Sequence, residues 1–368
     1  MSRLERAARI GATAFSFAML FICVVGTATL ARAADNQEFF AGKTISLIIS
    51  TGPGGGLDSN ARIIAKHLAN HIPGKPAIVP MNMPGAGALR AANHLYNVAP
   101  KDGTVLGTLI PAFVLAQVVD GRGIQYDAAK FQWLGSTSSS NDSIYAWSAS
   151  GIRSIDDAFK RQVVMGGTGV GSYSTIYPTV LNNVLGTKFK IIAGYQNTGG
   201  INIAMQRGEI EGRAGNNLST IRATTPDWLR DEIITLLVQV GLKRDPEFPD
   251  VPLMTDLAKT DRQREVLRLF STDIVIGRAL LAPPGIPPER LDLLRQAFDA
   301  MLVDPAFLQD EAAARLDVQP VRGTAVQKIV EDMVNTPPAV VAAGRAAMAP
   351  RDVIERGTSG DGPAPNGQ

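Results

Sequence analysis

Four turns in this 368-residue chain carry the residues best suited to hold a small anion. Gly52-Pro53-Gly54-Gly55-Gly56 follows the β-branched run 44–50, and Pro84-Gly85-Ala86-Gly87 follows 77–80. Gly166-Gly167-Thr168-Gly169-Val170-Gly171 follows 163–165, and Thr198-Gly199-Gly200 follows 190–193. Lacking a Cβ, glycine lets backbone N–H groups come close to a bound molecule. Each turn opens into a helix-like stretch, whose N-terminus adds partial positive charge. One such terminus contributes about 0.3–1 kcal/mol to holding an anion, and ~2 where partly buried. Four sum to a few kcal/mol, whereas micromolar binding requires about 8. Hydroxyls and amides must contribute the rest, from Thr168, Ser172, Asn197, Thr198 and neighbours such as Asn82. The expected grip therefore comes from peptide dipoles and small polar groups rather than cations.

Three other residues near these turns have competing readings. Asp58 is placed to cap a helix over 57–72, or else to reach the bound molecule. Tyr195 is a core aromatic or a cleft wall. Arg213 is solvated, is paired with Glu209 or Glu211, or clamps a carboxylate through both guanidinium donors.

Catalytic patterns are weak. The histidines are His67, His71 and His94. His67 and His71 have the i,i+4 spacing of two zinc ligands, but the glutamate of H-E-x-x-H and a third ligand are lacking. Neither a G-x-x-x-x-G-K-[ST] phosphate loop nor a G-x-S-x-G elbow occurs. The turn at 167–172 reads G-x-G-x-G between strand and helix, the nearest approach to a dinucleotide fingerprint. A ribose-binding acid is due about 20 residues on, and 187–192 supply none. An exported dinucleotide-binding enzyme is thus the rival reading, and the expectation is a binding protein without catalysis, metal or cofactor.

The first 33 residues read as an export leader. Arg3, Arg6 and Arg9 precede an uncharged run over 10–31, and Ala31-Arg32-Ala33 supplies a signal-peptidase pattern. The uncharged run is also long enough to cross a bilayer, so a retained anchor, as in a tethered sensor lobe, is the alternative. Cleavage after Ala33 removes Cys23, the only cysteine, and with it any disulfide or thiolate metal site. It also removes four arginines and one glutamate, a net +3, taking the formal charge from +2 to −1. That leaves no field to hold nucleic acid.

The remainder alternates strands and helices. Strands are expected at 44–50, 105–110, 131–136, 162–165, 232–240 and 272–281. Helices are expected at 57–72, 88–98, 155–161, 172–185 and 288–302, the last with Pro288 in its first turn. Alternation of this kind implies largely parallel sheets covered by helices, with ligands at the carboxyl ends of the strands. Residues after 350 read as a disordered tail.

The residues resemble the Bug-type solute-binding proteins of tripartite tricarboxylate transporters. The run 43–62, with Gly52–Asp58 and Arg62, is similar to their first motif. Asn82-Met83-Pro84-Gly85-Ala86-Gly87 is similar to a second, with Met81 where glutamate is usual. Pro100-Lys101-Asp102-Gly103-Thr104, residues 167–172, Tyr195, Gly208-Glu209-Ile210-Glu211 and residues 282–291 continue the order. The departures are Gln196-Asn197-Thr198-Gly199 after the tyrosine, and Glu211 with Arg213. The resemblance implies a type II periplasmic-binding-protein fold: two mostly parallel α/β lobes joined by two crossovers around a cleft. Lobe one would comprise 36–137 and 271–350, and lobe two 138–270. The implied role is a monomer that captures a small carboxylate in the periplasm and delivers it to the transporter's membrane components. The implied site is Pro53, Gly54, Gly55, Gly56, Asp58, Asn82, Gly85 and Ala86 facing Thr168, Gly169, Gly171, Ser172, Tyr195, Thr198, Gly199 and Arg213.

Overall fold

The computed structural model describes residues 39–169 and 171–355. The leader, Cys23 and the tail beyond 355 lie outside those residues. The first strands are β1 (Thr44–Ile49), β2 (Ala77–Asn82), β3 (Val105–Thr108), β4 (Gln132–Ser136), β5 (Asp142–Trp147) and β6 (Val163–Gly167). They are followed by β7 (Phe189–Ala193), β8 (Gly212–Asn217), β9 (Ile234–Val240), β10 (Ala279–Ala282), β11 (Val321–Arg322) and β12 (Val353–Glu355). Two six-stranded sheets result, ordered β11-β4-β10-β3-β1-β2 and β12-β7-β6-β8-β5-β9. Each is the centre of one lobe.

The sheets are more mixed than the alternation implies. β1 pairs in parallel with β2 and β3, and β6 with β7 and β8, each through a helical connection. The strands beside the crossovers run the other way: β10 is antiparallel to β3 and β4, and β5 to β8 and β9. A strand entered from the opposite lobe needs no βαβ crossover, so its direction is free of the handedness rule that keeps its neighbours parallel. β3 and β10 are buried along their whole length, as expected of strands covered on both faces.

The chain leaves lobe one at residues 137–141 and returns at 273–278. Ile274 packs in lobe two, whereas Ile276 already packs in lobe one. The strand expected at 272–281 is therefore mostly something else. Helix Asp261–Thr272 runs into a 3-10 turn, Asp273–Ile276, and only Ala279–Ala282 is strand. The apolar run Ile274-Val275-Ile276 is spent on spanning two cores.

The C-terminal part also departs from expectation. Helix Gly323–Val334 packs on β4 in lobe one, but helix Pro338–Ala347 crosses back, with Val340 and Ala347 in the core of lobe two. β12 then pairs in parallel with β7, so residues 353–355 belong to a sheet rather than to a tail. Burying that apolar stripe and pairing an open sheet edge favours the return. This makes a third passage between the lobes.

Candidate functional site

The glycine turns after β1, β2, β6 and β7 all lie at the carboxyl ends of their strands. Helix Gly56–His71 begins immediately after the first, with Gly55 as N-cap and Asp58 in its third position. The first amides of any helix lack partners within it. Asp58 is 3% exposed and is not the cap. Its Oδ2 accepts from the Gly54 amide at 2.9 Å and from Arg62 Nε at 3.0 Å. Its Oδ1 accepts from Arg62 Nη2 at 3.1 Å and Asn82 Nδ2 at 2.8 Å. The Arg62 hydrogen bond holds the Asp58 carboxyl well down, at about 2. Asn82 also donates to the Thr51 carbonyl at 2.8 Å and accepts from Arg62 Nη2 at 2.9 Å. Asp58 and Asn82, expected as ligand contacts, are instead a brace tying the first turn to the end of β2. Both oxygens of Asp58 and both Nδ2 hydrogens of Asn82 are engaged.

In the second turn, Gly85, Ala86, Gly87 and Ala88 have φ of 141°, 47°, 62° and 77°. For Ala86 and Ala88 this left-handed backbone costs about 1–3 kcal/mol each, a kind of strain that gathers at binding sites. Gly85 and Ala86 are exposed.

The third turn is held by its own hydroxyls. Ser174 Oγ accepts from the Thr168 amide at 3.1 Å and lies 2.7 Å from Ser172 Oγ, which donates to the Gly169 carbonyl at 2.7 Å. In the fourth, Asn197 caps helix Thr198–Gln206 by accepting from the Gly200 amide at 3.0 Å. Thr198 and Gly199 are exposed, and Thr168 and Ser172 half-buried.

Tyr195 and Arg213 lie behind these turns, not in front of them. Tyr195 is buried with Tyr145, Ile201 and Trp228 in the core of lobe two. Arg213 is 1% exposed and donates from Nη1 to Asn202 Oδ1 at 3.1 Å and to the Thr198 carbonyl at 3.4 Å. Its suggested partners are engaged elsewhere, Glu209 with Arg207 at 3.8 Å and Glu211 with Arg161 at 2.7 Å. Arg213 is a strut beneath the fourth turn. His67 and His71 each face a carboxylate of lobe one, Asp310 at 2.7 Å and Asp304 at 3.0 Å.

The glycines of the turns divide by what a Cβ would meet. Gly166 and Gly167 are packing positions, where a Cβ would crowd the Ile201 and Thr175 side chains. Gly52, Gly55, Gly169 and Gly171 are different. A Cβ on any of them meets nothing within 4 Å, and none has a left-handed φ. Among the described glycines only these four combine both properties, and all four lie on the first and third turns.

Sequence reasoning missed Arg278, in the second crossover. It is the only charge in the run 274–282, which was the available signal. Its Nη2 lies 3.8 Å from where a Gly56 Cβ would stand and donates to Ser219 Oγ, just beyond β8, at 3.4 Å. It therefore links the rim of lobe one to that of lobe two. Its Nη1 is buried without a hydrogen-bond partner among the described residues, and burial pulls its pKa down. Behind it lies Glu311, fully buried, whose Oε1 accepts from Asn60 Nδ2 at 2.9 Å; Asn60 Nδ2 also meets Thr137 Oγ1 at 3.1 Å. Burial raises the Glu311 carboxyl to about 7. The site thus contains a cation that the dipole-only expectation excluded.

No protein-family model matches the sequence, and no curated protein matches it. Solved structures do share its fold. The periplasmic binding protein BugD is 19% identical, with a TM-score of 0.60, over 84% of this chain and 98% of its own. A TctC solute-binding protein from Polaromonas, without ligand, is 17% identical, with a TM-score of 0.62, over 83% and 98%. MatC from Rhodopseudomonas palustris, with bound malate, is 18% identical, with a TM-score of 0.59, over 82% and 100%. The chain has the two-lobe α/β fold of these proteins.

Proposed function

We propose that this chain is a periplasmic solute-binding protein of the Bug type, capturing a small carboxylate between its lobes and delivering it to a tripartite transporter. The observation that carries the reading is the set Gly52, Gly55, Gly169 and Gly171. Neither crowding nor backbone conformation accounts for glycine there. Close approach of another molecule to the backbone does account for it. The exposed amides of Gly55, Gly56, Gly85, Thr198 and Gly199 and the hydroxyls of Thr168 and Ser172 are donors suited to an acid's oxygens. Two fold neighbours named as binding proteins, and a third with bound malate, support the same role.

The mechanism follows from the geometry. Ligand carboxylate oxygens accept from the helix-start amides on both rims. Closing the lobes excludes water and strengthens each polar contact. Titration calorimetry with succinate, malate and adipate against their neutral diamides tests this. Acids should bind and diamides should not; equal affinity for both classes would discard the carboxylate reading. N-terminal sequencing of the exported chain should begin at Ala34, and a retained Met1 would favour a tethered lobe.

A further inference from the structure

We infer that Arg278 is the charge partner of one ligand carboxylate at the floor of the cleft, so that the ligand enters acid-first toward the crossovers. This rests on the solute-binding reading above and adds to it a cation and an orientation. Three observations carry it. First, the guanidinium stands at the seam, with Nη2 3.8 Å from where a Cβ on Gly56, the first residue of helix Gly56–His71, would stand, and hydrogen-bonded to Ser219 of lobe two on the other side. Second, it is short of partners. Nη1 is buried with none among the described residues, and Nη2 has a single long contact. Third, no carboxylate of the chain completes it. Glu311 and Asp317 act on it only through space, with no ion pair within 4.0 Å among the described residues.

Glu311 makes no ion pair with it: Oε1 accepts from Asn60, Oε2 is buried with no hydrogen-bond partner among the described residues, and burial raises the carboxyl to about 7. Arg278 is half-buried, but a guanidinium with a buried, unpartnered Nη1 is unfavourable unless a further acceptor arrives. A carboxylate matches the fork with two parallel hydrogen bonds. The open face of Gly55 leaves it room to do so beside helix-start amides that attract the same charge.

The contrast with Arg213 isolates the role. Both arginines are largely enclosed, but Arg213 lies wholly within lobe two, bonded to Asn202 and Thr198. Of these two arginines, only Arg278 reaches from one lobe to the other.

The test is calorimetry on the mature chain with acetate, succinate, malate, adipate and citrate as probes, for wild type, Arg278→Gln and Arg278→Lys. Wild type should bind at least one acid. Arg278→Gln should weaken that acid ~100-fold. Arg278→Lys, which keeps the charge but loses the fork, should weaken it ~10-fold. Unliganded Arg278→Gln should melt no lower than wild type, since it removes an unpaired buried charge. Wild-type affinity in both variants overturns the inference while leaving the solute-binding reading intact. If Arg278→Gln fails to fold, the arginine is structural, and undiminished binding by Arg278→Lys then sinks the proposal. If wild type binds none of the five acids, the carboxylate reading fails and this inference fails with it.

Discussion

In the lobe interiors, glycine stands where other atoms leave no room. A Cβ on Gly277 would overlap the Ser138 carbonyl oxygen, one on Gly323 the carbonyls of Trp133 and Leu134, and one on Gly212 the Tyr145 carbonyl. Along the first and third turns, Gly52, Gly55, Gly169 and Gly171 border open space without a left-handed φ. The same residue type thus serves two ends. Inside, it lets segments of one chain approach each other. On the first and third turns, it leaves the surface bare, which the proposed function assigns to a bound molecule.

The strongest way to break this comparison is at Gly277, whose φ of 57° and ψ of −134° suit glycine alone. Gly277→Ala should cost about 3 kcal/mol or more in denaturant unfolding. A cost under half of that would mean the crossover readily shifts. Next comes Asp58→Ala, which frees Gly54, Arg62 and Asn82 together. It should lower stability by about 1–2 kcal/mol; an unchanged urea midpoint would show the brace to be idle. Gly52→Ala and Gly169→Ala should leave the midpoint unchanged or slightly raised, because alanine restricts the unfolded chain by ~0.5 kcal/mol. The same changes should weaken carboxylate binding by ~10-fold, about 1.4 kcal/mol. Lost stability with intact binding would reverse their classification as rim glycines.

The comparison extends to acids. On the rim, Asp58 is paired and held at about 2, so its stabilisation is complete above its ordinary value of 3.8 and is lost as pH falls below it. Inside lobe two, Asp273 accepts a short hydrogen bond from Tyr173, and Asp142 accepts a longer one from Tyr177 at 3.2 Å. Burial raises these carboxyls to about 7 and about 6, and Glu311 to about 7. The native state there keeps protons that the unfolded chain has released. The stabilisation from these three is therefore present at acid pH and lost as pH rises from about 4 to about 7. Melting temperature should decline gently over that window, and Asp273→Asn should flatten the decline. A profile rising from pH 4.5 to pH 7 would contradict the assignment of these three acids.

The turns were legible because they are local. Glycine clusters after β-branched runs and before helical spacing announce themselves at residues 52–56, 84–87, 166–171 and 198–200. Pro288 likewise marks the start of helix Pro288–Met301. The run 274–276 misled because its β-branched residues satisfy strand preference, while two separate cores claim Ile274 and Ile276. Arg213 misled because the glutamates nearest in sequence are salt-bridged elsewhere, and its real partners lie on helix Thr198–Gln206. The return of residues 338–355 to lobe two depends on an open edge at β7, created by folding elsewhere.

The amino-acid sequence alone determined an α/β chain whose strands end in bare, amide-rich turns, because glycine content, helix starts and strand preference act over a few residues. Tertiary structure alone decided which of those glycines crowd a neighbour and which front a gap. It also decided that Asp58 braces a loop and that a guanidinium from a crossover stands between two rims. Those outcomes turn on burial and on which partners arrive from distant segments, and neither is a property of local sequence.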